Sequence, residues 1–180
     1  TILCVSIAFT YRERIALLWN PTAERAYMSG MHHFNSMDAR AYNIDTAQSL
    51  FMYAARVDPT FPYVHHQLAR IFFLKGEYQE ALREINIEVA NDTRGERAPV
   101  FYMRGLIEGY LGDYKSAVVD YKRFVELVPD RWEGRTDYAW VLIQTKDYAE
   151  ALRIVDEGLT QHPDNPWLLS MRATILHEKG

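Results

Sequence analysis

Apolar and small side chains recur along the chain three and four residues apart, in stripes such as His65, Leu68, Ala69 and Phe72, or Tyr138, Ala139 and Leu142. That spacing is one buried face of an α-helix. The stripes come in pairs, and the second of each pair carries one recurring phrase: NIDTAQSLF, GEYQEALREI, GDYKSAVVDY and KDYAEALRIV. Its alanines, Ala47, Ala81, Ala117 and Ala151, are separated by 34, 36 and 34 residues. A period in the mid thirties predicts stacked helical pairs, so the chain reads as a repeat protein.

With the phrase alanine numbered position 20, copies span 28–61, 62–97, 98–131 and 132–165, with a partial fifth at 166–180. In each copy a first helix ends at a turn, where Gly76 or Gly112 supplies the left-handed backbone. Acidic Glu77, Asp113 or Asp147 then opens the second helix with a capping oxygen and a charge that suits the helix dipole. Proline at Pro59, Pro129 and Pro163 follows that helix and cannot continue it. Small residues at position 8 (Ala69, Gly105, Ala139, Ala173) and position 20 predict a close crossing of the paired helices, where a larger side chain overpacks. The two extra residues behind the 36-residue spacing fall near 91–99, whose Asn, Asp, Thr, Gly and Pro content reads as a loop.

The pattern resembles the tetratricopeptide repeat family: small residues at positions 8 and 20, Tyr78, Tyr114 and Tyr148 at position 17, and proline at 32. The resemblance covers residues 28–180. It is strongest in the copies from Ala98 and Trp132 and weakest in that from Met28, where Asn35 fills position 8 and Ile44 fills 17. It implies an all-α fold, a right-handed superhelical solenoid of antiparallel helix pairs with about four repeats and a partial fifth. It also implies a concave groove lined by first-helix positions 2, 5, 9, 12 and 13. Those fall on His32, Ser36 and Arg40, on Tyr63, His66, Arg70, Phe73 and Leu74, on Tyr102, Leu106, Gly109 and Tyr110, and on Thr136, Trp140, Ile143 and Gln144.

Composition narrows the function classes. With 48% apolar and 24% charged residues the chain is that of an ordinary folded protein. A formal charge of −4 gives no general attraction to phosphate backbones, which disfavours nucleic acid as a partner. Cys4 is the only cysteine, so neither an internal disulfide nor a CxxC pair can form. Residues 1–20 form a separate segment before the array at 21–180. Its apolar run at residues 2–9 is too short to span a bilayer and reads as either the tail of a membrane anchor or a capping helix. The compartment stays open between membrane-anchored and cytoplasmic.

Candidate chemistry is sparse. The pairs His32-His33 and His65-His66 lack the three or four ligands and the spacing that zinc requires, so no metal and no cofactor is expected. Arg104 and Asp120, with Glu108 four residues beyond Arg104, read as a structural ion-pair network between two helices. The carboxylate clamp of chaperone-tail binders needs Lys, Asn and Arg, and its positions here hold His32, Ser36, Gln67, Pro99 and Met103, or one copy later His66, Arg70, Met103, Glu133 and Asp137. Neither set makes the clamp.

What remains is an aromatic inner surface. Tyr63, His66, Arg70, Phe73, Tyr102, Leu106, Tyr110 and Trp140 are the candidate groove residues, since aromatics with arginine are what partner hot spots are made of. The expected function is a noncatalytic scaffold that binds a peptide or helix of an unidentified protein. The alternative is an accessory domain of a larger membrane protein or membrane enzyme.

Overall fold

A computed structural model describes residues 22–38 and 40–180 of the chain. They form nine helices and no strand: α1 Ala23–Asn35, α2 Ile44–Val57, α3 Val64–Leu74, α4 Tyr78–Asn91, α5 Ala98–Tyr110, α6 Tyr114–Leu127, α7 Trp132–Gln144, α8 Tyr148–Gln161 and α9 Pro166–Lys179. The apolar run at residues 2–9 and Cys4 lie outside the described residues. No described helix is long and apolar enough to cross a membrane.

Each helix packs mainly on the next in sequence, which makes the array of antiparallel pairs that the period predicts. All four phrase alanines are fully buried, because each sits where the second helix of a copy crosses the first. Gly105 shows how tight that crossing is: a Cβ there would stand 3.2 Å from the ring of Tyr121. The core is three clusters in series rather than one centre, each spanning neighbouring copies.

The tight turns follow the expected rule, with one departure. Gly76 and Gly112 have φ of 77° and 80°, and the third turn places Lys146 in the same left-handed state at 63°. Asp113 and Asp147 accept from the backbone N–H of Ser116 and Glu150 as caps of α6 and α8. Glu77 makes no such bond, its longer side chain leaving the start of α4 uncapped by its own residue.

The first copy differs from expectation. Its first helix starts at Ala23 rather than near Met28, and Gly30, not Asn35, occupies the close crossing. A Cβ on Gly30 would fall 2.7 Å from Phe51, the counterpart of Tyr121, whereas Asn35 is exposed at the helix end. The cause is a longer connection. Residues 36–43 join α1 to α2, where residues 75–77, 111–113 and 145–147 serve the later pairs. His33 fastens this turn through Nδ1 to the carbonyl of Ala41 at 2.8 Å, and Asn43 caps α2 by accepting from Thr46 N–H. Ser36 and Arg40 therefore lie in the turn and not on a helix face.

The extra residues near 91–99 do lie in a connection, residues 92–97, held by Asp92 accepting from Arg97 N–H and by Arg123 donating to the carbonyl of Gly95. At the other end, Leu168 and Ile175 of α9 are fully buried against the preceding copy. The exposed apolar groups of α9 are Trp167, Leu169 and Leu176, and Ala173 is exposed as well.

Candidate functional site

The first helices of successive copies touch one another, α3 with α5, α5 with α7 and α7 with α9, while α4, α6 and α8 make at most marginal contact among themselves. An array whose first helices converge and second helices splay must curve, with α3, α5 and α7 on the inside. That inner face is where the candidate groove residues were placed.

At its centre is an aromatic group. Phe73 of α3 meets Tyr110 of α5 edge-on with centroids 4.9 Å apart, and Tyr78 closes the set at 5.4 Å and 5.3 Å from the two rings. Tyr110 is 60% exposed. Beside it, the Trp140 ring rests above Gly109, where a Cβ would come 3.6 Å from the indole, and meets Tyr114 edge-on. Trp140 remains 44% exposed. These edge-to-face geometries are favourable for rings and hold them as a rigid surface. Leu106 is half-buried between the α3 and α5 layers.

Tyr102 joins adjacent copies. Its ring packs on Tyr121 and Phe124 of its own copy, and its hydroxyl donates to Asp137 Oδ2 of α7 at 2.6 Å. Burial, then this bond and the charge of Asp137, drive the phenol far above its ordinary pKa, so it stays a donor. Asp137 is itself pushed up, chiefly by burial and further by the charge of Glu133, against the pull of the Tyr102 bond.

On α3, Arg70 lies over the face of Phe34 at 4.7 Å and donates to Gln67 Oε1 at 2.8 Å, and no carboxylate among the described residues pairs with it. His66 is buried, its ring edge-on to Tyr63. Burial, with the charge of Arg70 adding to it, pulls His66 down to about 4 and keeps it neutral at physiological pH. Tyr63 is half-buried in the left-handed conformation at φ 65° just before α3. His32 is exposed, with its ring against His33.

The remaining charged clusters are structural. Arg104 grips Asp120 through Nε and Nη2 at 2.5 and 2.7 Å, and Glu108 stands 3.9 Å from Arg104 Nε. His65 donates through its ring nitrogens toward Glu84 and the carbonyl of Pro59, and Arg135 reaches the carbonyls of Pro129 and Ile154 and the carboxylate of Glu157. Glu88, wholly buried, holds the start of α3. Glu84, Glu88 and Arg135 did not stand out at helical spacing, although His65 and Arg135 share position 4 and both reach the carbonyl of a position-32 proline. Among the described residues no group of three His, Cys, Asp or Glu side chains could hold a metal.

Stacked helical pairs of this kind, each touching its neighbours in series, define an α-solenoid. The sequence profile of the tetratricopeptide repeat matches residues 111–175. The fold is shared with YrrB, described as a TPR protein with an unusual peptide-binding site, at 18% identity and a TM-score of 0.77 over 93% of this chain and 83% of that one. It is shared with MamA at 16% identity and a TM-score of 0.73, over 84% and 85%. The first TPR of Spaghetti (RPAP3), bound to the HSP90 peptide SRMEEVD, superposes at 22% identity and a TM-score of 0.59 over 66% of this chain and 89% of that one. A search of curated proteins finds no match. Residues 111–175 thus carry the tetratricopeptide repeat profile, and the fold is the one that tetratricopeptide repeat proteins share.

Proposed function

We propose that the protein is a noncatalytic scaffold whose inner face binds a peptide or helix of a partner protein. The observation that carries this reading is the exposure of Tyr110 and Trp140 on the inner helices, where their packed neighbours hold them rigid. Exposed aromatic area on a folded surface is costly unless a partner covers it, and fixed rings give up little conformational entropy on binding. Phe73, Tyr102 and Leu106 form the floor beneath them, and Tyr63 and Arg70 the wall toward the first copy; His66 acts from within that wall, by packing. A peptide-binding site in YrrB and a bound peptide in the first TPR of Spaghetti, proteins of the same fold, support the reading.

The test is capture of interactors by the wild type and by the Tyr110→Ala, Trp140→Ala double variant, with circular dichroism to establish that both are folded. Partners retained in full by the folded double variant would refute the reading.

A further inference from the structure

Among the described residues, two opposite charges on the inner face, Asp137 and Arg70, have no ion-pair partner. On α7, Glu133, Asp137, Trp140 and Gln144 follow one another at intervals of three and four residues, on one helix face. The two carboxylates are like charges one turn apart, an arrangement that repels. Among the described residues no Lys, Arg or His nitrogen lies within ion-pair distance of Asp137, whose partner is the Tyr102 hydroxyl. Among the described residues Glu133 has the exposed Arg131 at 4.0 Å; its side chain is 45% exposed, with Oε2 buried and without a hydrogen-bond partner. Two copies away, Arg70 is a half-buried cation held by an amide and a ring. Charges taken partly out of water without a counterion are expensive, and a ligand that supplies the counterion recovers that cost.

We propose that the groove takes a peptide with a basic side chain seated against Glu133 and Asp137 and an acidic group directed to Arg70. This inference rests on the groove reading above and adds the partner's chemistry and direction. Tyr102 and Trp140 flank the basic subsite, and an ammonium or guanidinium group is attracted to both the carboxylates and the indole face. Inner helices in contact lie roughly 10 Å apart, so Arg70 and Asp137 are about 20 Å from each other. An extended peptide covers that in about six residues, which sets the spacing between its acidic and basic positions. The arrangement is opposite to a carboxylate clamp, with anions where the clamp presents cations.

The experiment uses synthetic dodecapeptides with an apolar aromatic centre and Lys, Asp or Gln placed on either side of it, six residues apart, in every combination. Binding is read by fluorescence anisotropy at low and high salt. The peptide with Asp before Lys, or Lys before Asp, is expected to bind tightest, one of the two orders clearly preferred, with affinity falling as salt rises. Glu133→Gln with Asp137→Asn keeps the hydrogen-bonding shape and should weaken lysine peptides about tenfold or more while changing glutamine peptides little. Trp140→Ala should weaken all of them. If peptides bind in a Trp140-dependent way without charge preference, the charge inference is overturned and the groove stands. If no peptide binds, or binding is indifferent to Trp140, both are overturned.

Discussion

The carboxylate of Glu88 on α4 and the guanidinium of Arg97 in the connection to α5 form a 2.5 Å bridge, with Glu88 wholly buried. The same carboxylate accepts from the backbone N–H of Tyr63 at 2.8 Å, His65 at 3.1 Å and His66 at 3.3 Å. The start of α3 has no cap from its own N-cap residue, and a side chain 25 positions away supplies it, on the favourable end of the helix dipole. One residue thus joins a linker, a helix start and the following linker.

Glu88→Ala is expected to cost about 3–5 kcal/mol, because it leaves buried donors and an arginine without their acceptor. Glu88→Gln, which keeps one acceptor but not the charge, should fall between wild type and alanine. Urea unfolding at constant m-value measures both. A loss under about 1 kcal/mol for alanine would show that water replaces the carboxylate there.

At the joint between the third and fourth copies, Gly134 faces the ring of Phe124, and a Cβ would come within 2.1 Å of it. Gly134→Ala must therefore displace a packed ring, at about 1–3 kcal/mol. The same reasoning gives Ala117→Phe a comparable cost at a fully buried crossing. Thermal midpoints equal to wild type in both variants would contradict the packing described.

Lys146 holds the left-handed backbone that Gly76 and Gly112 hold in the sister turns. That conformation costs an L side chain about 1–2 kcal/mol, of which glycine's greater freedom in the unfolded chain takes back part. Lys146→Gly should raise stability by roughly 0.5–1 kcal/mol. A fall in the urea midpoint would count against the turn geometry.

Burial, then the charge of Asp120, pushes Glu108 from its ordinary 4.5 up to about 8, against the pull of Arg104. The folded state then holds a proton that the unfolded chain releases above 4.5. Stability must fall as pH rises from about 4.5 to about 8, since the native state binds more protons in that window. Glu108→Gln should flatten this slope and raise the midpoint at pH 8, each 1 kcal/mol appearing as roughly 2–4 °C. His65 adds a slope in the same direction: burial lowers its pKa, but Glu84 and the carbonyl of Pro59 outweigh that and raise it, so its contribution fades as pH rises beyond its ordinary 6.5. A glutamine variant with the wild-type pH profile would mean that Glu108 titrates normally.

The alanine phrase locates every second helix because Ala47, Ala81, Ala117 and Ala151 each meet the same steric demand, and that demand is written in one residue type. The first helix of the first copy escapes the ruler. Its distance from Ala47 depends on the length of a turn, and turn length is free of packing constraint. Gly30 carries the needed signal, small and opposite Phe51, but only once the pair is assembled. Glu88 and Arg135 were illegible for another reason: a charged residue on a helix reads as solvent-facing until the donors and acceptors that surround it, drawn from distant linkers, are in place. The candidate groove positions, and the aromatic residues that fill them, follow from the resemblance to the tetratricopeptide repeat and not from spacing. Which of them stand exposed, as Tyr110 and Trp140 do, and which are covered, as His66 is, depends on the neighbouring copy.

The bonds from Arg135 to the carbonyl of Pro129 tie the connection at residues 128–131 to α7 and, through Ile154 and Glu157, to α8. His162 adds a further tie, from its ring to the carbonyl of Asp130. The linker that leaves one copy is thus anchored in the copy that follows. Units of melting in this array consequently run across the sequence repeats, out of step with them. In native-state hydrogen exchange the Arg131 amide should open together with α8, and fraying from the C-terminal side should release the linker before it loosens α6.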